Sequence, residues 1–115
     1  MLTSYDALRK QVEAEGGLYA TTMEELREIE GAGRLGQHVR ASISSGLAAN
    51  GMGHLPEELP SYQGFEVRVY RLGTPLADVV NAVRKPSPSG DQVLRQVSAS
   101  DAQKVIKRIR EIVSE

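Results

Sequence analysis

The chain has 115 residues, of which 40% are hydrophobic and 25% are charged, and its formal net charge is −1. This length suffices for one hydrophobic core, and we expect a single domain over residues 1–115. The chain has no cysteine, which excludes disulfide frameworks, thiolate zinc sites and cysteine nucleophiles. No apolar run approaches the roughly 18 residues of a membrane span, and the first residues lack a signal-peptide pattern. We therefore expect an intracellular, cytoplasmic protein.

The charge is unevenly distributed along the chain. Residues 1–31 carry an excess of four acidic side chains, whereas residues 32–115 carry an excess of three basic ones. Such asymmetry lets one region attract phosphate while another repels it, although an ordinary solvated surface of mixed charge explains it equally well.

The first third of the chain predicts two helices separated by an extended segment. Helical spacing of apolar residues predicts a helix over 4–15, which the glycine pair 16–17 ends. Residues 18–21 form a short connector or strand. Thr22 and Glu25 then form a capping box that opens a second helix, and the glycines of 31–33 end or kink it. We group residues 1–21 as an N-terminal helix and connector, residues 22–97 as the core, and residues 98–115 as a C-terminal amphipathic helix.

The middle of the chain contains one clear helix and one ambiguous segment. Leu35, Val39, Ile43 and Leu47 recur every four residues, which predicts a helix that faces the core and ends at 50–51. Residues 52–61 contain two prolines and indicate an ordered loop. Apolar residues in 62–72 have helical spacing, but residues 65–69 alternate and are rich in β-forming types, so a strand is the alternative.

The last third of the chain predicts three helices, over 74–84, 91–97 and 102–113, with a turn at 85–90. The predicted fold class is thus mainly α, a compact domain of six or seven helices with a helix-turn-helix-like core. Short strands near 18–21 and 65–72 are kept as alternatives.

Three motifs resemble nucleotide-binding, metal-binding or catalytic patterns, but a purely structural role explains each of them better. Residues 31–36 match G-x-G-x-x-G, but a charged helix precedes them instead of a buried strand, so we interpret them as a joint between helices. His38 and His54 are the only histidines and have no third metal ligand at helical spacing. Ser44-Ser45-Gly46 lacks the glycine that would precede a nucleophile elbow. We therefore expect a non-enzymatic protein with no cofactor and no metal.

The strongest functional indication is the corner at Gly73-Thr74-Pro75. Glycine commonly follows a helix, threonine caps the next one and proline suits its first position. Residues 69–83 resemble the first two helices of recombinase-type DNA-binding domains, and the resemblance extends over 67–97. It implies a recognition helix near 89–97 that reads base edges in duplex DNA. It implies base contacts from Gln92, Arg95 and Gln96 and phosphate contacts from Arg68, Arg71, Arg84 and Lys85.

A partner protein is the alternative to DNA. Tyr62 lies next to a proline-rich loop and is a candidate contact, although a role in closing the turn is the simpler explanation. The last predicted helix carries an apolar stripe that includes Val105, Ile109 and Ile112, which suits a homodimer or another protein. The two expected functions are a small DNA-binding regulator or accessory factor, and a protein–protein interaction module that serves as subunit or adaptor of a larger assembly.

Overall fold

The computed structural model describes residues 1–114, leaving aside the side chains of 100–106, 108, 113 and 114. The chain divides into two compact units, Met1–Ala77 and Asp78–Glu115. The first unit contains a helix, a strand, two further helices and two strands. In chain order these are α1 (Tyr5–Ala14), β1 (Leu18–Thr22), α2 (Met23–Glu30), α3 (Gln37–Ala49), β2 (Met52–Leu55) and β3 (Glu66–Arg71).

The three strands form one antiparallel sheet in the order β1-β3-β2. Val69 of β3 stands opposite Tyr19 on one side and His54 on the other. Val67 and Val69 are buried whereas Arg68 between them is exposed, as the alternation of a strand with one buried face requires. Because β3 is the central strand, its backbone groups pair on both sides.

The predicted fold class was wrong, because the first unit is α+β instead of mainly α. The alternative strands near 18–21 and 65–72 are confirmed as β1 and β3. The helical spacing of Tyr62, Phe65 and Leu72 was misleading because all three side chains are exposed, by 70%, 46% and 43%. No helix precedes Gly73, so the helix-turn-helix predicted over 67–97 lacks its first helix.

The core of the first unit is formed by apolar side chains from α1, α2, α3, β2, β3 and the loops, and Tyr19 of β1 packs against it. The stripe predicted on α3 contributes Ile43 and Leu47, which are fully buried. The buried cluster comprises Leu8, Val12, Met23, Leu26, Leu35, Ile43, Leu47, Met52, Leu59, Val67 and Val69. It fixes α2 and α3 against the sheet.

Two helices account for most of the second unit. α4 (Pro75–Arg84) begins just before its boundary, and α5 (Pro88–Ser114) is one continuous helix of 27 residues. The predicted division into helices over 91–97 and 102–113 was wrong, because Ser98-Ala99-Ser100 contains neither glycine nor proline and continues the helix. The predicted turn at 85–90 is shorter than expected: Ser87 caps α5 by accepting a hydrogen bond from the Gly90 N–H at 3.0 Å. Within the described residues, no helix is long and apolar enough to cross a membrane.

Candidate functional site

The most distinctive local arrangement is the pair of consecutive helices α2 and α3. Thr22 caps α2 by accepting a hydrogen bond from the Glu25 N–H at 3.2 Å, as the capping box predicts. α2 ends at Gly31, whose φ of 75° is left-handed, and α3 begins after the N-cap residue Gly36. Only residues 32–35 lie between these two caps, so the joint predicted from the glycine motif is confirmed as a short connection between helices.

α3 has an inward face that packs tightly and an outward face of small and polar side chains. Inside, a Cβ on Gly46 would lie 2.5 Å from the Tyr5 ring, so the glycine lets α1 and α3 approach. The exposed side chains of α3 are Gln37, His38, Ala41, Ser45, Ala48 and Ala49. The sequence from 31 to 56 contains no aspartate or glutamate. α3 therefore presents small and hydrogen-bonding side chains and carries no negative charge of its own.

A groove of about 270 Å³ runs along α3 beside the loop that joins β2 to β3. Its lining includes Gln37, Arg40 and Ser44 from the helix and Glu57 and Glu58 from the loop. The Arg40 guanidinium donates to the Leu59 carbonyl at 3.1 Å, which ties the loop to the helix. The groove thus combines one guanidinium with two carboxylates.

The side chains of Ser44 and His54 form a hydrogen-bonded pair that was not predicted from the sequence. Ser44 Oγ lies 2.9 Å from His54 Nε2, and His54 Nδ1 lies 2.8 Å from the Pro56 carbonyl. Because a carbonyl only accepts, Nδ1 carries a proton and donates to the Pro56 carbonyl, and Nε2 shares a hydrogen bond with the serine hydroxyl. The geometry is that of a serine–histidine pair, but Ser44 lies within α3, whose own backbone N–H groups bond along the helix. We interpret the pair as the anchor of β2 and its loop on α3.

A polar network holds α1, β1 and α2 together. The Glu25 carboxylate accepts from the Thr21 hydroxyl at 2.6 Å and from the Leu2 N–H at 3.3 Å. Burial raises the pKa of Tyr5 well above its ordinary value, and its hydrogen bond to Glu30 raises it further. Burial and the Glu25 carboxylate raise the pKa of Tyr19 as well. These tyrosines thus stay protonated and act as hydrogen-bond donors that position α2 before α3.

The residues predicted to contact DNA are distributed between the two units. Arg71 is occupied within the first unit: its Nε lies 3.3 Å from a Glu13 oxygen, and its Nη1 donates to the Gly51 carbonyl at 2.9 Å. Arg68 is on the exposed side of β3, 3.6 Å from Glu66. The others belong to the second unit, at the end of α4 (Arg84 and Lys85) or exposed on α5 (Gln92, Arg95 and Gln96).

The residues predicted to contact a protein partner are mostly exposed. Tyr62 is 70% exposed in the loop before β3, and Ile109 and Ile112 on α5 are 55% and 67% exposed. The side chain of Val105 lies outside the described residues. Among the side chains that the structure describes, no group of three histidines, cysteines, aspartates or glutamates could hold a metal ion.

Comparison of the chain with models of known protein families, with curated proteins and with solved structures gives no match.

Proposed function

We propose that this protein binds double-stranded DNA without catalysis, with α3 as the helix that enters the major groove. The observation that carries the proposal is the short connection between α2 and α3, followed directly by the β2–β3 hairpin. A helix-turn-helix with such a hairpin is the arrangement of a winged helix. It replaces the helix-turn-helix that the sequence suggested at 67–97.

The order of the elements supports this assignment. A helix, a strand, two consecutive helices and a hairpin follow each other, and the first strand pairs with the third. In helix-turn-helix proteins the second helix reads base edges with its N-terminal residues while the first crosses the backbone. Because a fold alone does not establish a function, the chemistry of the α3 surface has to support the proposal as well.

The outward face of α3 suits base edges. Gln37 in the first turn can pair with adenine through two hydrogen bonds, and Ala41 one turn later can contact a thymine methyl group. Small side chains such as Ala41 and Ser45 let the helix approach the floor of the groove closely. α3 itself carries no carboxylate, and the negative charges beside Gln37 and Ala41 are those of Glu57 and Glu58 in the neighbouring loop.

One copy of the first unit is expected to bind weakly. Residues 1–77 carry ten acidic and seven basic side chains, so few phosphates can be neutralised by one copy. We therefore propose a homodimer through α5, which gives two linked sites and a higher effective affinity. Val97, Ile109 and Ile112 on this helix are 43%, 55% and 67% exposed, which supports an apolar contact with a second copy.

The DNA proposal is tested by selection from a pool of duplex oligonucleotides at about 50 mM salt, where phosphate contacts are strong. We expect micromolar protein to enrich a sequence motif, and Gln37→Ala to weaken binding of that motif by about 10- to 100-fold. The matched control is Gln96→Ala, on the helix that the resemblance implied as the reader. We expect only one of these two substitutions to weaken binding of the motif.

The outcomes separate the alternatives. Loss of motif binding with Gln96→Ala but not with Gln37→Ala would move the reading helix to α5. If no duplex binds at low salt, the DNA proposal fails in either form.

The dimer is tested by sedimentation. We expect Ile109→Asp to shift a dimer to a monomer because it places a charge in the apolar contact. Val83→Asp is the matched control, since Val83 is an exposed aliphatic residue of α4 (64% exposed) and should not affect the association. A wild-type protein that sediments as a monomer at tens of micromolar would contradict the dimer.

A protein partner is the second candidate, favoured by the exposed aromatic pair Tyr62 and Phe65 beside the hairpin. In this alternative the protein is an adaptor in a larger assembly, and a stoichiometric partner should be lost on Tyr62→Ala. A cytoplasmic location belongs to both proposals, because each supposes an intracellular partner.

A further inference from the structure

A second groove, of about 390 Å³, lies on the first unit between the α2–α3 connection and the loop before β3. Two arginines contribute to its lining, and no carboxylate-bearing residue is among the lining residues. The lining includes Arg27, Gly33, Arg34, Ser61, Tyr62 and Gln63. Because this groove adjoins the start of α3, it lies beside the helix proposed to read DNA.

The two arginines of this groove differ in how firmly they are held. Arg27 Nη1 donates to the Gln63 side chain at 2.9 Å and Nη2 to Glu28 at 2.8 Å, while its Nε is buried with no hydrogen-bond partner. Arg34 is exposed and forms no hydrogen bond or ion pair with any residue that the structure describes. The groove therefore has one guanidinium that is held by Gln63 and paired with Glu28. The other, that of Arg34, has no partner among the described residues, and its planar fork matches the geometry of a phosphate group.

The backbone beside Arg34 also favours an anion. Gly36 precedes α3 as its N-cap and provides no side-chain hydrogen bond to the first turn. The first N–H groups of α3 are thus open to an acceptor, at the positive end of the helix dipole. At Gly33 and Gly36 nothing lies within 4 Å of the position that a Cβ would occupy, so a ligand can approach the main chain.

From these observations we infer that the groove binds one backbone phosphate of the DNA, with Arg34 as the direct contact. Arg27, which is paired with Glu28, holds Gln63 beside the groove, and the Ser61 and Tyr62 hydroxyls are available as additional donors. This inference rests on the proposed function, because it assigns a phosphate of the duplex that α3 reads. It predicts affinity without sequence preference, since phosphate contacts position the protein and do not distinguish bases.

The test measures the affinity of the full chain for two duplexes of unrelated sequence at several salt concentrations. We expect Arg34→Gln to weaken binding of both duplexes by the same factor, about eightfold at about 0.1 M salt, which is the loss of one phosphate contact. The slope of log affinity against log salt should fall by about one. Arg34→Lys should retain most of the slope because it keeps the charge. Arg34 is exposed, and unchanged thermal unfolding should show that these variants fold.

The matched control is Lys10→Gln, which removes one positive charge from α1, where Lys10 is exposed and lies 3.2 Å from Asp6. We expect Lys10→Gln to change neither the affinity for DNA nor the slope of log affinity against log salt. If wild-type protein binds DNA and Arg34→Gln alters neither affinity nor slope, the phosphate site is refuted while the proposed function stands. Equal effects of Arg34→Gln and Lys10→Gln would also refute it, because they would indicate only a general effect of net charge. If wild-type protein binds no duplex, the proposed function itself fails.

Discussion

The two units of this protein differ sharply in how their apolar side chains are used. In Met1–Ala77, eleven apolar residues from α1, α2, α3, β2, β3 and the loops form a buried cluster, against which Tyr19 of β1 packs. In Asp78–Glu115, the described apolar side chains are mostly exposed or half-buried, and Ala82 is the buried one among them. The difference teaches that the first unit is built around its own core, whereas the long helix of the second has a surface that suits a partner.

The largest expected effect compares the same substitution in the two units. Ile43→Ala removes a fully buried side chain of α3 and should lower the free energy of unfolding by about 2–5 kcal/mol. Ile112→Ala removes the same atoms from a side chain that is 67% exposed, and should cost less than about 0.5 kcal/mol in the monomer. Urea denaturation at low protein concentration measures both. Equal losses of unfolding free energy would contradict the division into a unit with its own core and a helix with an exposed apolar surface.

A smaller effect is expected at the contact between α1 and α3. Alanine favours a helix over glycine by about 1 kcal/mol, but a Cβ on Gly46 would lie 2.5 Å from Cζ of Tyr5. We expect Gly46→Ala to lower the free energy of unfolding by about 1–3 kcal/mol because the ring must move. Gly33→Ala is the control, since its Cβ would meet open space. A gain of stability from Gly46→Ala would mean that this contact is not tight.

The smallest effect concerns the tyrosine that joins α1 to α2. Tyr5→Phe removes the hydrogen bond to Glu30 and should cost about 1 kcal/mol at neutral pH. The pKa of Tyr5 is raised in the folded protein, so the unfolded chain loses this proton first as the pH rises above about 10. The contribution of Tyr5 is complete below pH 10 and declines above it.

Unfolding of the wild type and of Tyr5→Phe across this alkaline range checks the pH dependence. The loss of stability above pH 10 should be smaller in the variant. Tyr62→Phe, at a side chain that is 70% exposed, serves as the control and should behave like the wild type. Identical pH profiles for Tyr5→Phe and the wild type would contradict the assigned role of Tyr5.

Local signals predicted both helices of the proposed DNA-binding element, α2 and α3. DNA binding, however, was predicted for a different segment, residues 67–97. The N-cap at Thr22, the glycine joint and the apolar stripe of α3 are confirmed, whereas the Glu25 carboxylate of the predicted capping box accepts from Thr21 and Leu2. The corner at 73–75 had equally good capping signals, and Thr74 does cap α4 by accepting from the Ala77 N–H at 3.3 Å. What precedes that corner is a strand, because residues 66–71 pair with β1 and β2 on both sides. Capping residues report how one helix begins, not what the preceding segment pairs with.

The amino-acid sequence alone therefore determined where most helices begin and end, because caps, glycines and apolar spacing act within a few residues. Tertiary structure alone decided that 66–71 is a central strand. Its partners in β1 lie 44 or more residues earlier in the chain, and its partners in β2 lie across a ten-residue loop. It also brought Ser44 to His54 and Arg34 to Ser61. Contacts of this kind depend on the closure of long loops around a shared core, which no local pattern encodes.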